Sequence, residues 1–183
     1  MSRDELIERF SLDRVVSSPA TFDYEKLDWL NGMYLRALSL DEYASELAKF
    51  LRDEGYDWDE ELVRRAAPVV QEKIERFGQF PDFAGFLFRE VEPDPALLNG
   101  AAPVVTAARD ELERVEPFAA PEIETALRSL AERLELSPRK AFEPIRIAVT
   151  GSKVSPGLFE SLELLGKEET LRRLSAAAGR AAA

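Results

Sequence analysis

Apolar residues in this chain recur at the three- and four-residue spacing that lines one face of an α-helix, and the strict alternation of a β-strand is scarce. That pattern predicts an all-α fold. Ser2-Arg-Asp-Glu5 and Ser39-Leu-Asp-Glu42 each match a capping box, in which a hydroxyl and a carboxylate satisfy free N–H groups at a helix start. After the second box, Leu40, Tyr43, Leu47, Phe50 and Leu51 mark one face of a helix that should stop near Gly55. A third helix is expected from Asp57-Trp-Asp-Glu-Glu61, since acidic groups suit a helix N-terminus. Its apolar face would carry Leu62, Ala66, Val69, Val70, Ile74 and Phe77. Phe80, Phe83, Phe86 and Phe88, around Gly85, read as a short buried helix.

Two prolines break the pattern at Val91-Glu-Pro-Asp-Pro95, the best internal boundary. Leu97, Leu98, Val104, Val105, Ala108, Leu112 and Val115 then resume helical spacing until a second break between Glu116 and Pro121. Ile123, Leu127, Leu130 and Leu134 form the next stripe. Ser137-Pro138 and Ser155-Pro156 each look like a serine N-cap followed by proline at the first helical position, where its missing N–H costs nothing. Leu158, Phe159, Leu162 and Leu165 follow the second of these, and Gly166 ends that helix. The last helix should fray into its alanine-rich tail.

Composition removes whole classes of chemistry. The chain has 183 residues, enough to bury a real core, and neither cysteine nor histidine. Disulfides, thiolate metal sites, Ser-His-Asp catalysis, His-ligated zinc and a histidine pH switch are therefore impossible within it. No apolar run approaches the roughly 20 residues that span a bilayer, and the charged N-terminus lacks the apolar core of a secretory signal. A soluble, cytoplasmic protein with no membrane partner is expected. A formal net charge of −11 repels phosphate on average, which argues against DNA and against non-specific nucleic-acid binding. Any RNA contact must use a local basic patch.

Such a patch exists. Arg139, Lys140, Arg146 and Lys153 lie close together in sequence, opposed only by Glu143, around a Thr-Gly-Ser turn and a Ser-Pro-Gly step. Composition alone favours the exposed face of a helix and its following turn. Two features point instead to a ligand: the cluster flanks a bend with exposed backbone polar groups, and the free N–H groups of the next helix start nearby. Other signals are weaker. Asp57–Glu61 lacks the glycine and spacing of a calcium loop, and Gly151-Ser152-Lys153 lacks the spacing and strand context of a phosphate loop.

Pro144-Ile-Arg-Ile-Ala-Val-Thr-Gly151, Ser155-Pro-Gly-Leu-Phe-Glu160 and Leu164-Leu-Gly-Lys167 resemble the C-terminal end of bacterial glutamyl-tRNA synthetases. Phe22-Asp23 and Lys26-Leu-Asp-Trp-Leu-Asn-Gly-Met-Tyr-Leu-Arg36 resemble that family's Lys-Leu-x-Trp-x-Asn-Gly-x-Tyr-Ile-Arg segment. The motifs lie at opposite ends of the chain in the family's order, and residues 53–135 match in pattern only. The family's His-x-Gly-His signature is missing, and Lys153-Val-Ser-Pro is only an echo of its Lys-Met-Ser-Lys-type loop. The resemblance thus implies a chain that begins just downstream of that loop.

The same resemblance implies a tRNA-binding, anticodon-recognising region without its catalytic half. Residues 1–38 would belong to a stem-contact region, with helical anticodon-binding subdomains at 39–95 and 96–183. It carries RNA contacts onto Arg146, Ser155, Pro156 and Leu158, although Leu158 also fits a core stripe. Arg139, Lys140 and Lys153 join them from the basic patch. Lys73, in the third helix, would take the place of an arginine that some members use to tell tRNA-Glu from tRNA-Gln, and lysine lacks the planar fork. Trp29 and Tyr34 are expected to anchor a helix, and Asn31-Gly32 to permit a bend. The partners implied are tRNA-Glu, with tRNA-Gln as a second candidate, and the catalytic domain of the same enzyme, the protein being a monomer. No cofactor is expected in this chain; ATP and magnesium belong to the full-length enzyme. A freestanding helical module that binds a protein partner is the alternative.

Overall fold

The computed structural model describes residues 3–14 and 21–181. Among the described residues every regular element is helical. The α-helices are α1 (Arg3–Arg9), α2 (Tyr24–Ala37), α3 (Leu40–Asp53), α4 (Glu60–Val70), α5 (Phe80–Phe83), α6 (Ala102–Leu112), α7 (Ala120–Arg133), α8 (Pro138–Thr150), α9 (Leu158–Leu165) and α10 (Lys167–Ala181). Short 3₁₀ turns occupy Leu12–Arg14, Phe77–Gln79, Gly85–Leu87 and Pro95–Leu98. Ser2 of the first expected capping box lies outside the described residues, as do Ala182 and Ala183 of the tail. α10 itself holds through Ala181.

The box at Ser39 closes in both directions. The Ser39 hydroxyl accepts from the Glu42 N–H at 3.3 Å, and the Ser39 N–H donates to the Glu42 carboxylate at 3.0 Å. Behind it α3 buries Tyr43, Ala44, Leu47, Ala48 and Leu51, while Leu40 stays exposed. Asp59 caps α4 by accepting from the N–H groups of Glu61 and Leu62. The buried face of α4 is Val63, Ala66, Ala67 and Val70, one residue round from the expected stripe. The helix also ends sooner than expected, with Pro68 removing an N–H near its end, and the Gln71 side-chain amide after it donates to the carbonyls of Leu35 and Leu38 at 3.0 and 2.9 Å.

Two cores result. The first joins α3 and α4 to Ile74, Phe80, Ala84, Phe86 and Leu87. The expected Phe-rich helix is broken into α5 and a 3₁₀ turn, with Trp58 stacked on Phe88 at 4.5 Å between ring centres. The second is made by α6 to α10, among them Val105, Leu112, Ile123, Leu127, Ile145, Leu162 and Leu174. Each such fully buried aliphatic side chain contributes about 1.5–3 kcal/mol relative to exposure. Leu164 and Leu165 at the end of α9 pack against the first core as well, so α9 joins the two.

α2 departs from expectation. It runs unbroken through Asn31 and Gly32, so the pair makes no bend. Asn31 instead donates its side-chain amide to the Glu75 carbonyl, and a Cβ at Gly32 would come within 3.1 Å of the Glu75 side chain. The Arg36 guanidinium, on α2 itself, would stand as close to that Cβ, at 3.0 Å. Trp29 and Tyr34 lie at the surface instead of in either core: they are 52% and 66% exposed, beside exposed Leu27 and Met33.

Candidate nucleic-acid interface

α8 ends at Gly151, whose φ of 74° is the left-handed conformation of a helix C-cap. The Thr150 hydroxyl bonds to the carbonyls of Arg146 and Ser152 at 2.9 and 3.1 Å and accepts from the Ser152 N–H at 3.3 Å. The Val154 N–H donates to the Ser152 hydroxyl at 3.1 Å. Hydroxyls thus take over the backbone groups that the helix end leaves free.

Arg146, one helical turn before Gly151, braces the far limb. Its Nη1 donates to the Ser155 hydroxyl and to the Pro156 carbonyl at 2.7 Å. Burial pulls the guanidinium pKa below its ordinary value, and Glu160 acts against that shift. The expected serine N-cap is not formed here. Ser155 is spent on Arg146, Gly157 occupies the cap position, and α9 begins at Leu158. Ser137 does take the cap position before Pro138, without a hydrogen bond from its side chain. The side chains of Pro156 and Leu158 are buried, Leu158 at 4% exposure within the second core.

Across from this turn, a groove of about 580 Å³ is lined on one side by Lys73, Ile74, Arg76, Gly78, Gln79, Asp82 and Phe83, and on the other by Ser152 and Val154. Lys73 lies in the turn after α4, not within the helix as expected, and is exposed. Arg76 pairs with Asp28 at 3.2 Å, and the Gln79 side-chain carbonyl accepts from the N–H groups of Glu75 and Arg76. Val154 is 69% exposed. Residues far apart in sequence therefore form two walls of one concavity.

The remaining basic residues are arranged differently. Arg139 and Lys140 are exposed in the first turn of α8 and line a separate cavity of about 410 Å³ with Leu97, Ser137, Glu143, Pro144 and Ile147. They begin α8 and the turn after Thr150 follows its far end, but a shared carboxylate bridges Arg139 to that turn. Glu143 accepts from Arg139 at 3.2 Å and from Lys153 at 3.4 Å. These partners, Arg139 foremost, hold its carboxyl below the usual carboxylate range. Arg76, Gln79, Asp82 and Phe83 were not among the residues sequence reasoning selected. No local motif marks them, because only the packing of the first core aims them at the turn. Among the described residues, no group of three or more His, Cys, Asp or Glu could hold a metal ion, and no helix is long and apolar enough to cross a membrane.

The family model described as an anticodon binding domain matches residues 40–178. The glutamate–tRNA ligase of Roseiflexus sp. (strain RS-1) is 43% identical over 191 residues, covering 97% of this chain and 38% of that protein. That of Saccharopolyspora erythraea is 42% identical over 190 residues, covering 96% and 38%. Among solved structures, the glutamate tRNA ligase of Elizabethkingia meningosepticum, in complex with its amino acid, superposes with a TM-score of 0.80 at 25% identity, covering 98% of this chain and 37% of that one. The chain thus spans a little over a third of the length of the relatives it matches.

Proposed function

We propose, on the premise that the chain belongs to the glutamate–tRNA ligase family through its anticodon-binding domain, that it grips a tRNA anticodon loop in the groove between its two cores. The observation that carries this reading is the meeting of Lys73 and the 152–154 turn across one groove. An unpaired base needs donors at its edge, apolar support for its face and a cation near its phosphate. Lys73 and Lys153 supply the cations, Phe83 and Val154 the apolar surface, and Gln79 polar groups. Arg146 keeps Nε and Nη2 for a base edge or phosphate while its Nη1 holds the turn. Ser155, Pro156 and Leu158 act by shaping that turn, their side chains being bonded or buried. Arg139 and Lys140 meet phosphates further along the strand.

Residues 39–95 and 96–183 are assigned as the two anticodon-binding subdomains, and 1–38 as part of a stem-contact region. The RNA is tRNA-Glu, with tRNA-Gln also accepted because Lys73 presents a point charge rather than a fork. Glutamate activation with ATP and magnesium belongs to the rest of the enzyme, a cytoplasmic monomer. The exposed apolar side chains of α2, Leu27, Trp29, Met33 and Tyr34, are assigned to contact with that catalytic part. Trp29→Ala should leave this chain's stability within about 0.5 kcal/mol and weaken its association with a separately produced catalytic part; unchanged association would remove the assignment.

The decisive experiment titrates the chain with tRNA-Glu and tRNA-Gln transcripts at low salt, beside Arg146→Ala and Lys73→Ala. Binding of tRNA-Glu and tRNA-Gln that both substitutions weaken is expected. Equal, feeble binding to every RNA, indifferent to both substitutions, would overturn the reading.

A further inference from the structure

Arg173, on α10, is only 6% exposed, and its guanidinium fork reaches both halves of the molecule. Nε donates to the Glu169 carboxylate at 2.6 Å, Nη1 to the Val149 carbonyl at 2.8 Å and Nη2 to the Arg89 carbonyl at 3.2 Å. Val149 belongs to the second core, two residues before the left-handed Gly151 that opens the turn. Arg89 directly follows Phe88, which stacks on Trp58 against the first core. One side chain therefore ties the base of one groove wall to the chain leaving the other.

Its surroundings repeat the connection. Arg172 pairs with Glu90 at 2.7 Å, Arg180 with Glu92 at 3.4 Å, and the Val91 side chain lies directly over Gly151. The cores are also linked by apolar contact, through Leu164 and Leu165. Apolar contact is non-directional, whereas hydrogen bonds to two carbonyls and a carboxylate set both distance and angle. A buried charge is also costly unless every bond is kept, so small slips of one half against the other are penalised.

We propose that Arg173 is a positioning residue for anticodon recognition, setting the separation between the Lys73 wall and the Ser152–Val154 wall of the groove. The inference rests on the reading of that groove as the RNA site. Lysine cannot replace it, because a single ammonium cannot span three acceptors in a fixed fork.

The test uses Arg173→Met, which keeps much of the volume, and Arg173→Lys, which keeps the charge. The chain has no cysteine, so spin labels at Lys49→Cys and Thr125→Cys, exposed on α3 and α7, report the distance between the halves. In each background, tRNA-Glu affinity is measured with and without Lys73→Ala. We expect a shifted or broadened distance distribution, tRNA binding weakened by about tenfold, and a smaller cost of Lys73→Ala than in the parent. Arg173→Lys should fall between. If Arg173→Met unfolds, Arg173→Lys decides alone. A folded variant with the parent's distance distribution and the parent's Lys73→Ala cost would overturn the proposal. Should Lys73→Ala cost nothing in the parent itself, the reading of the groove fails and the positioning role falls with it.

Discussion

Gly151 has a double reason to be glycine. Its φ of 74° is strained for any residue with a Cβ, and a Cβ there would stand 2.7 Å from Cγ1 of Val91. Gly151→Ala should therefore destabilise the chain by about 1–2 kcal/mol from the backbone conformation, with a further loss from the contact with Val91. Adding Val91→Ala should recover the contact part and leave the conformational part, a non-additivity that denaturant unfolding of the four proteins will measure. Full additivity would mean that Val91 does not bear on the turn. At this same scale Arg146 differs from an ordinary surface arginine, because its first task is internal. Replacing it loosens the limb at Ser155 and Pro156 as well as removing donors to RNA.

α10 shows how an element joins local charge to long-range packing. Leu174 and Ala177 face the second core, while Arg172 and Arg173 converge on Glu169 and reach across to the first half. The Arg172 guanidinium, followed by Arg173, holds the Glu169 carboxyl at a pKa of about 2, down from 4.5. A carboxyl depressed in the folded state contributes stability above its unfolded pKa and loses it as pH falls through the folded one. Stability should therefore decline between about pH 4.5 and pH 2, and Glu169→Gln should flatten that part of a thermal-unfolding profile. Glu42, Glu60 and Glu143 are lowered in the same direction and leave a residual slope. A profile unchanged by Glu169→Gln would show that the α10 pairs contribute no net stability.

Over the whole molecule, the balance of 24 basic and 35 acidic residues makes long-range attraction to RNA poor, so binding must rely on a few local cations. If Lys73, Arg139, Lys140, Arg146 and Lys153 meet phosphate, log affinity should fall against log salt with a slope of about −3.5, and Lys73→Ala should reduce it by about 0.7. A slope unaltered by Lys73→Ala would place that residue outside phosphate contact. The helical class, the acidic character, the breaks near 91–95 and 116–121, and the catalytic classes that an absence of cysteine and histidine forbids are all legible along the chain. Those properties are local or compositional: a capping box such as Ser39–Glu42 is satisfied within four residues, and an apolar stripe repeats every turn. Packing alone set that Lys73 faces Ser152 and Val154, that Glu143 joins Arg139 to Lys153, and that Leu158 turns inward. It also turned Asn31-Gly32 from an expected bend into a docking point and made Arg173 one of the links between the cores. The physical reason is range: such contacts join residues tens of positions apart, and their energies depend on how the two cores pack, which no periodicity along one chain records.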